Sequence, residues 1–368
     1  MKKVMFVANS EWYLKNFRKS TLLSFGKKYR VICSFPNVDT GEALNDLNVK
    51  ISKFYMRPES KNPFKEAFTI FSMFLNFLKM KPSLVFSFNP KTNLYSLLCC
   101  SVLRIPCVVN VSGVGAASQL DGISGRIYRF LAKILYRRAE FVFFQNSDNM
   151  REFKDSCWLK NDSYDVLPGS GVDLNLFAPS SEKHDGLRFL MAARLIKAKG
   201  VEEYISAARH FRSIPECEFY LAGMFDDSNR AVDRNTIDLA VRDGCIQFLG
   251  HVEDMASLLN QVDCIVLPSY YPEGTPRSLI EAAAAGKIII TTDMPGCRDL
   301  VRIGLNGFLV ETKSTSSIVD AIGRVISLSD ASLVEMKKMS RLMAEEKYDE
   351  TIIINKYLRI AARVTAQV

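Results

Sequence analysis

Pro268-Ser-Tyr-Tyr-Pro-Glu-Gly-Thr-Pro-Arg-Ser-Leu-Ile-Glu-Ala-Ala-Ala-Ala-Gly286 is the stretch from which the fold of this chain can be read. The apolar run Asp263 to Leu267 ahead of it reads as a strand. Thr275 is placed to cap a helix with Pro276 at its first position, and Gly286 can end that helix. The loop therefore faces a helix N-terminus, whose unpaired amides and positive dipole end favour a diphosphate. Glu273 lies in the loop and Glu281 inside the helix. Two carboxylates across such a junction suit a bound sugar nucleotide, although two solvated glutamates would give the same spacing.

Outward from this stretch the same rhythm repeats. Arg188 to Ala192, Glu218 to Ala222, Ile246 to Leu249, Cys264 to Leu267 and Lys287 to Thr291 read as short apolar strands with helical segments between them. Upstream, Val4 to Ala8, Tyr29 to Phe35, Leu84 to Phe88, Pro106 to Val111 and Phe141 to Gln145 alternate with helices such as Phe64 to Met80 and Ile123 to Arg138. That alternation is the signature of parallel sheets wrapped by helices. The turn-rich segment Leu167 to Asp173, followed by Pro179 to Gly186, interrupts it and marks a domain boundary. The expected architecture is α/β, with two doubly wound domains whose strand ends open on a cleft. Residues 350–368 carry a last helix, Glu350 to Ala366, expected to pack back on the first domain.

At 368 residues the chain is long enough for two such domains. Its net charge of +8 is uneven: residues 1–170 carry 25 Lys and Arg against 13 Asp and Glu, and residues 171–368 carry 23 against 27. The basic half seeks an anionic partner such as nucleic acid, an acidic membrane surface or a phosphorylated lipid carrier, or is merely a soluble basic face. Nucleic acid lacks a recognisable recognition module here. The nine cysteines show no metal or redox spacing, which points to a reducing compartment. No secretory signal opens the chain, and no uncharged run reaches bilayer-spanning length, so a cytoplasmic protein is expected.

A second chemistry-bearing turn follows the first strand of the second half: Ala192-Ala-Arg-Leu-Ile-Lys-Ala-Lys-Gly200. Arg194 and Lys199 lie near a helix start, where a guanidinium fork and a point charge together neutralise a diphosphate. With the Glu273 to Glu281 stretch and the run Asp293-Met-Pro-Gly-Cys-Arg-Asp-Leu-Val301 followed by Asn306-Gly307, this sequence resembles the retaining glycosyltransferases of family 4. The resemblance spans most of the chain and is strongest over 188–310. It implies a GT-B architecture of two Rossmann-like domains, with residues 1–170 binding acceptor and 171–349 binding donor. It gives Arg194 and Lys199 the donor diphosphate, Glu273 the donor sugar and Glu281 the ribose hydroxyls, with Gly274, Thr275 and Pro276 beside the diphosphate and sugar. Glu273, Arg194 and Lys199 would be the catalytic residues.

In the first half, Asn16-Phe17-Arg18, Asn89-Pro-Lys-Thr-Asn93, Val111-Ser-Gly-Val-Gly115 and Phe144-Gln-Asn146 are similar to the subgroup that builds bacterial polysaccharide or glycan repeat units on a polyprenyl diphosphate. The acceptor implied is a lipid-linked saccharide met by Asn16, Arg18, Lys91, Asn93, Ser112 and Gly113. The donor implied is a UDP-sugar carrying a hexose or N-acetylhexosamine. Peripheral contact with the anionic inner face of the cell membrane fits the basic half, and the Phe-rich helix 64–80 suits either a leaflet or a sheet cover.

Gly113-x-Gly115 lacks the third glycine of a dinucleotide fingerprint, with Ser118 in its place, so no nicotinamide cofactor is expected. No Asp-x-Asp occurs, and with helix dipoles and two cations carrying the leaving charge no metal is required. The histidines His184, His210 and His251 are isolated; His251 follows a strand ending at Gly250 and is placed near the donor base. The alternatives are a nucleotide-sugar epimerase on the same fold and a non-catalytic nucleotide-sugar-binding protein.

Overall fold

The computed structural model describes residues 1–57, 60, 62–113, 122–160, 163–180, 184–226 and 228–366, the side chains of 122–124 excepted. Gly115 and Ser118 of the truncated glycine motif lie outside them. The chain divides into two compact units, Met1–Ser170 with Thr351–Val368, and Gly171–Glu350.

The first unit holds a parallel sheet built from β1 (Lys3–Val7), β2 (Arg30–Pro36), β3 (Lys50–Phe54), β4 (Leu84–Phe88), β5 (Cys107–Val111), β6 (Phe141–Phe144) and β7 (Tyr164–Val166). Its spatial order is β3-β2-β1-β4-β5-β6-β7. The central strands are buried on both faces and so read as largely apolar runs, as parallel strands do. Helices α1 (Glu11–Gly26), α2 (Pro63–Met80), α3 (Pro90–Leu103), α4 (Gly122–Tyr136) and α5 (Ser147–Asp155) make the crossovers. Side-chain oxygens cap three of them, with Ser10 accepting from Tyr13 N–H, Asn62 from Phe64 and Asn146 from Asn149. Residues of α2, α3, α4 and α5 share one core with Met5, Val85 and Val109 on the same sheet face.

The second unit holds β8 (Leu187–Ala192), β9 (Cys217–Ala222), β10 (Gln247–Gly250), β11 (Cys264–Leu267), β12 (Ile288–Thr292) and β13 (Gly307–Val310), in the order β10-β9-β8-β11-β12-β13. All pairings are parallel. Its helices are α6 (Val201–His210), α7 (Arg234–Arg242), α8 (Met255–Asn260), α9 (Arg277–Ala284), α10 (Thr315–Ile326) and α11 (Asp330–Met343). One expectation shifts by a residue: Pro276, not Thr275, occupies the cap of α9, at φ −62°, and no side chain bonds there. Proline has no N–H to leave unsatisfied at a helix start, so an uncapped entry costs little. At the other end Gly286 N–H bonds Ala283 O and Lys287 N–H bonds Ala282 O, the paired closure that stops a helix at a glycine.

Helix α12 (Glu350–Ala366) covers the opposite face of the first sheet together with α1. Tyr357 stands 5.0 Å from the Phe143 ring and 5.4 Å from that of Phe86.

All nine cysteines are free thiols, and seven are buried. Thiol titration of the native chain should therefore show one fast group, Cys157, and one slower, half-buried group, Cys217, with the rest appearing only on unfolding. Fast reaction of more than two native thiols would contradict the packing.

Candidate active site

In the Gly171–Glu350 unit the winding reverses between β8 and β11. The segments leaving those strands diverge to opposite faces, and their carboxyl ends form the place where open α/β sheets take ligands. After β8 the chain makes a tight turn, Lys197–Lys199, before α6. After β11 it makes the Pro268–Pro276 loop before α9. Tyr270 N–H donates to Ala198 O at 2.9 Å, which ties the two segments. Gly200 approaches so closely that a Cβ there would strike the Pro268 carbonyl, so a side chain is excluded.

This docking brings Lys199 Nζ to 2.5 Å from Glu273 Oε1, with both side chains largely covered. Ser269, fully buried, donates to the same carboxylate oxygen at 2.8 Å. The Tyr271 ring centroid lies 5.8 Å from the ammonium. A cation, a carboxylate and the N-terminal ends of α6 and α9 thus converge on the strand ends. Together they offer positive potential to a diphosphate and one fixed acceptor to its substituent.

Below the carboxylate sits Cys297, whose thiol burial, with the Glu273 charge second, pushes up to about 12, so it stays protonated. Gly296, at φ +80°, packs against the Gly274 carbonyl and the Thr275 backbone. Gly274, Thr275 and Pro276 are all buried at this junction.

Arg194 also follows β8 but is about half exposed, its Nη1 3.5 Å from Asp226 Oδ2. A hydrogen bond from the Ser228 hydroxyl, aided by Arg194 and Arg230, holds Asp226 below the usual carboxylate range. Glu281 is buried within α9 and takes Arg277 Nε at 2.5 Å. Burial pushes its carboxyl above the ordinary value of 4.5 and the Arg277 guanidinium opposes this. A raised folded value means that Glu281 favours the fold below about pH 4.5 and that this contribution is lost as pH rises through the raised value. Glu281→Gln should flatten the resulting decline in Tm, and Arg277→Ala should steepen it. An unchanged profile in both variants would argue against the buried pair. His251 is exposed just past β10, and Gly250 O accepts the Gly223 amide at 2.7 Å.

The residues expected to meet an acceptor differ in exposure. Arg18 is 1% exposed, donates to Tyr13 Oη at 3.1 Å and lies over the Phe88 ring at 4.7 Å. Asn93 is equally buried and donates to Asn110 O at 2.9 Å. Both are interior groups of the first unit, Arg18 because it falls on the buried stripe of α1 with Leu14, Leu22 and Phe25. Lys91 pairs with Glu66 at 2.9 Å and reaches Ser60 O at 3.0 Å. Asn16 is exposed and bonds Trp12 O within α1. Ser112 is partly exposed and Gly113 buried, at the last described residues before 122.

Sequence reasoning did not single out Ser269, Arg277, Asp226 or Gly296, which contact the candidate residues or their loop. Ser269 and Arg277 stand inside the quoted stretch, and their signals were position: two residues past a strand end and first in a helix. Asp226 pairs across a loop that no spacing rule reaches. Among the described residues no cluster of His, Cys, Asp and Glu is arranged to hold a metal ion, and no helix is long and apolar enough to cross a membrane.

A family model described as "Glycosyl transferases group 1" matches residues 174–343. The N,N'-diacetylbacillosaminyl-diphospho-undecaprenol alpha-1,3-N-acetylgalactosaminyltransferase of Campylobacter jejuni is 26% identical over the full length of both chains. The UDP-Gal:alpha-D-GlcNAc-diphosphoundecaprenol alpha-1,3-galactosyltransferase of Escherichia coli is 25% identical over 78% of each. Among solved structures, Anabaena HepE in complex with UDP superposes with a TM-score of 0.80 at 17% identity, covering 99% of this chain and all of its own. Sucrose-phosphate synthase from Thermosynechococcus elongatus gives 0.80 at 16% over the whole of both chains. The fold is that of the GT-B glycosyltransferases.

Proposed function

From a chain whose residues 174–343 match the family model of group 1 glycosyl transferases, we propose a retaining hexosyltransferase that moves a hexose or N-acetylhexosamine from a UDP-sugar to a polyprenyl-diphosphate-linked saccharide. Its place is bacterial surface polysaccharide or glycan assembly, at the inner face of the cell membrane. The observation that carries this reading is the Lys199–Glu273 pair held at the switch point of the second sheet. The relatives act, by their names, on diphospho-undecaprenol-linked sugars, which supports the acceptor class. A transferase is favoured over an epimerase by the group 1 match.

In this reading departure of the diphosphate is the difficult step. Lys199, Arg194 and the amides around Thr275 stabilise its developing charge without reorganising, the preorganised electrostatics that lowers barriers of this kind. Glu273 holds the sugar, and Glu281 takes the ribose hydroxyls. The acceptor hydroxyl attacks the anomeric carbon on the face the diphosphate leaves, the glycosyl–phosphate bond breaks, and the leaving phosphate takes the hydroxyl proton. No metal is needed in this scheme. Asn16, Arg18, Lys91, Asn93, Ser112 and Gly113 are the proposed acceptor contacts, with Arg18 and Asn93 acting from the interior.

The test offers a panel of labelled nucleotide sugars with a bacterial lipid extract and follows label into organic-soluble product. Transfer dependent on both substrates is expected. Conversion of the donor without acceptor would replace this reading with the epimerase, and the absence of any turnover with donor still bound would replace it with a binding protein.

A further inference from the structure

Helix α2 is inside out. The side chains it buries against the sheet are Thr69, Met73, Asn76 and Phe77, two of them polar, and Asn76 is anchored there by the Ser52 hydroxyl at 2.7 Å and by Lys53 O at 2.9 Å. Its outward stripe is Phe64, Phe68, Phe71, Leu75 and Leu78, at helical spacing, with Phe64 86% and Phe71 56% exposed. A helix that merely covered a sheet would place these residues the other way round.

The stripe has neighbours. α2 packs on α3, and α3 on α4, and all three share the core on one sheet face, so their outer sides point the same way. On α3, Leu98 and Val102 are exposed; on α4, Ile127, Phe130, Leu131 and Ile134 form a second stripe at i, i+3, i+4 and i+7, with Phe130 65% exposed. A continuous apolar surface of this kind marks an interaction site.

Charge identifies the partner. Residues 63–81, 90–104 and 122–138 carry ten Lys and Arg and a single acid, Glu66, which is itself bonded to Lys91. On α4 and the turn that ends it, the cations Arg126, Arg129, Lys133, Arg137 and Arg138 are all exposed, with no acid between them. Aromatic and aliphatic stripes flanked by cations match the boundary between headgroups and acyl chains of an anionic leaflet. We propose that the outer face of α2, α3 and α4 is a membrane-docking surface that lies in the interface of anionic phospholipid, inserting the Phe stripe and pairing its cations with headgroups. The surface deepens the lipid-linked-acceptor reading and rests on it for its purpose, because it would hold the first unit at the depth where a lipid carrier presents its diphosphate.

The experiment is co-sedimentation of the full chain with vesicles of pure phosphatidylglycerol against vesicles of pure phosphatidylcholine, without donor or acceptor. Binding to the anionic vesicles and little to the neutral ones is expected. Phe68→Ser with Phe71→Ser should lower partitioning about tenfold or more. Arg126→Gln with Lys133→Gln should lower it about 30-fold, each near-surface cation being worth about fivefold, and added salt should mimic this pair. Tm and donor binding should stay at wild-type values in both double variants, since these side chains are exposed and outside the proposed donor site. Equal binding to both vesicles, no binding, or a salt-insensitive dimer abolished by the Phe variants would overturn the proposal. Because no sugar is present in the assay, failure here leaves the transferase reading intact, and failure of transfer leaves the vesicle result standing.

Discussion

Lys199→Ala is expected to lower kcat/KM for transfer by about a hundred- to a thousandfold, the range measured when one preorganised stabiliser of a developing anion is removed. Lys199 is 8% exposed as a residue and its ammonium already sits 2.5 Å from Glu273, so the charge is in position before any ligand arrives. The loss should fall mainly in kcat if Lys199 acts on the departing diphosphate, and in KM if it only binds the ground state. Glu273→Ala should be comparably severe. The two residues contact each other, so the double variant should fall well short of the product of the single losses. Circular dichroism and Tm close to wild type are expected for both, because the pair lies at a loop rather than within the core. Turnover at the wild-type rate in either single variant would remove the pair from the mechanism.

The second large effect is structural. Gly296→Ala should cost about 3 kcal/mol or more of stability and weaken donor binding at least about tenfold. Two terms contribute, and they can be separated. Gly296 has φ +80°, which an L-residue adopts at about 1–2 kcal/mol; in addition a Cβ there would overlap the Gly274 carbonyl and crowd Thr275, moving the loop that carries Glu273. Gly304 has nearly the same backbone, φ +75°, with open space where its Cβ would stand. Gly304→Ala therefore carries the backbone term alone and should cost only about 1–2 kcal/mol with donor binding unchanged. Urea midpoints for both variants and a donor titration decide this. Equal losses at the two positions would mean that the contact with Gly274 is unimportant.

The sheet-and-helix alternation of both units was legible because their central strands, such as Val4 to Val7 and Cys264 to Leu267, are buried on both faces and stand out as apolar runs. The strands that sequence reading passed over, β3, β7 and β13, are edges of the two sheets. β3 reads Lys-Ile-Ser-Lys-Phe and is half exposed, so its composition signals a loop as much as a strand. That Lys199 and Glu273 would lie together was legible because both stand in loops that follow neighbouring strands of one sheet, where topology rather than packing decides position. The burial of Arg18 was not. Whether Arg18 faces ligand or core depends on which side of α1 meets the sheet, and a polar residue in an apolar stripe hides that side from a composition-based reading. Helix α2 misleads in the same way, since its phenylalanines suggest a buried face while Asn76 and Thr69 occupy it.

Helix α12 closes the first unit with residues synthesised after the entire second unit. On a translating ribosome the segment 171–350 can complete its own core as a contiguous piece, while the first sheet waits with Phe86 and Phe143 uncovered until Tyr357 emerges. The order of maturation is thus the reverse of the order of synthesis, and a nascent chain stalled before residue 350 would present a finished second unit tethered to an aggregation-prone, half-roofed first one.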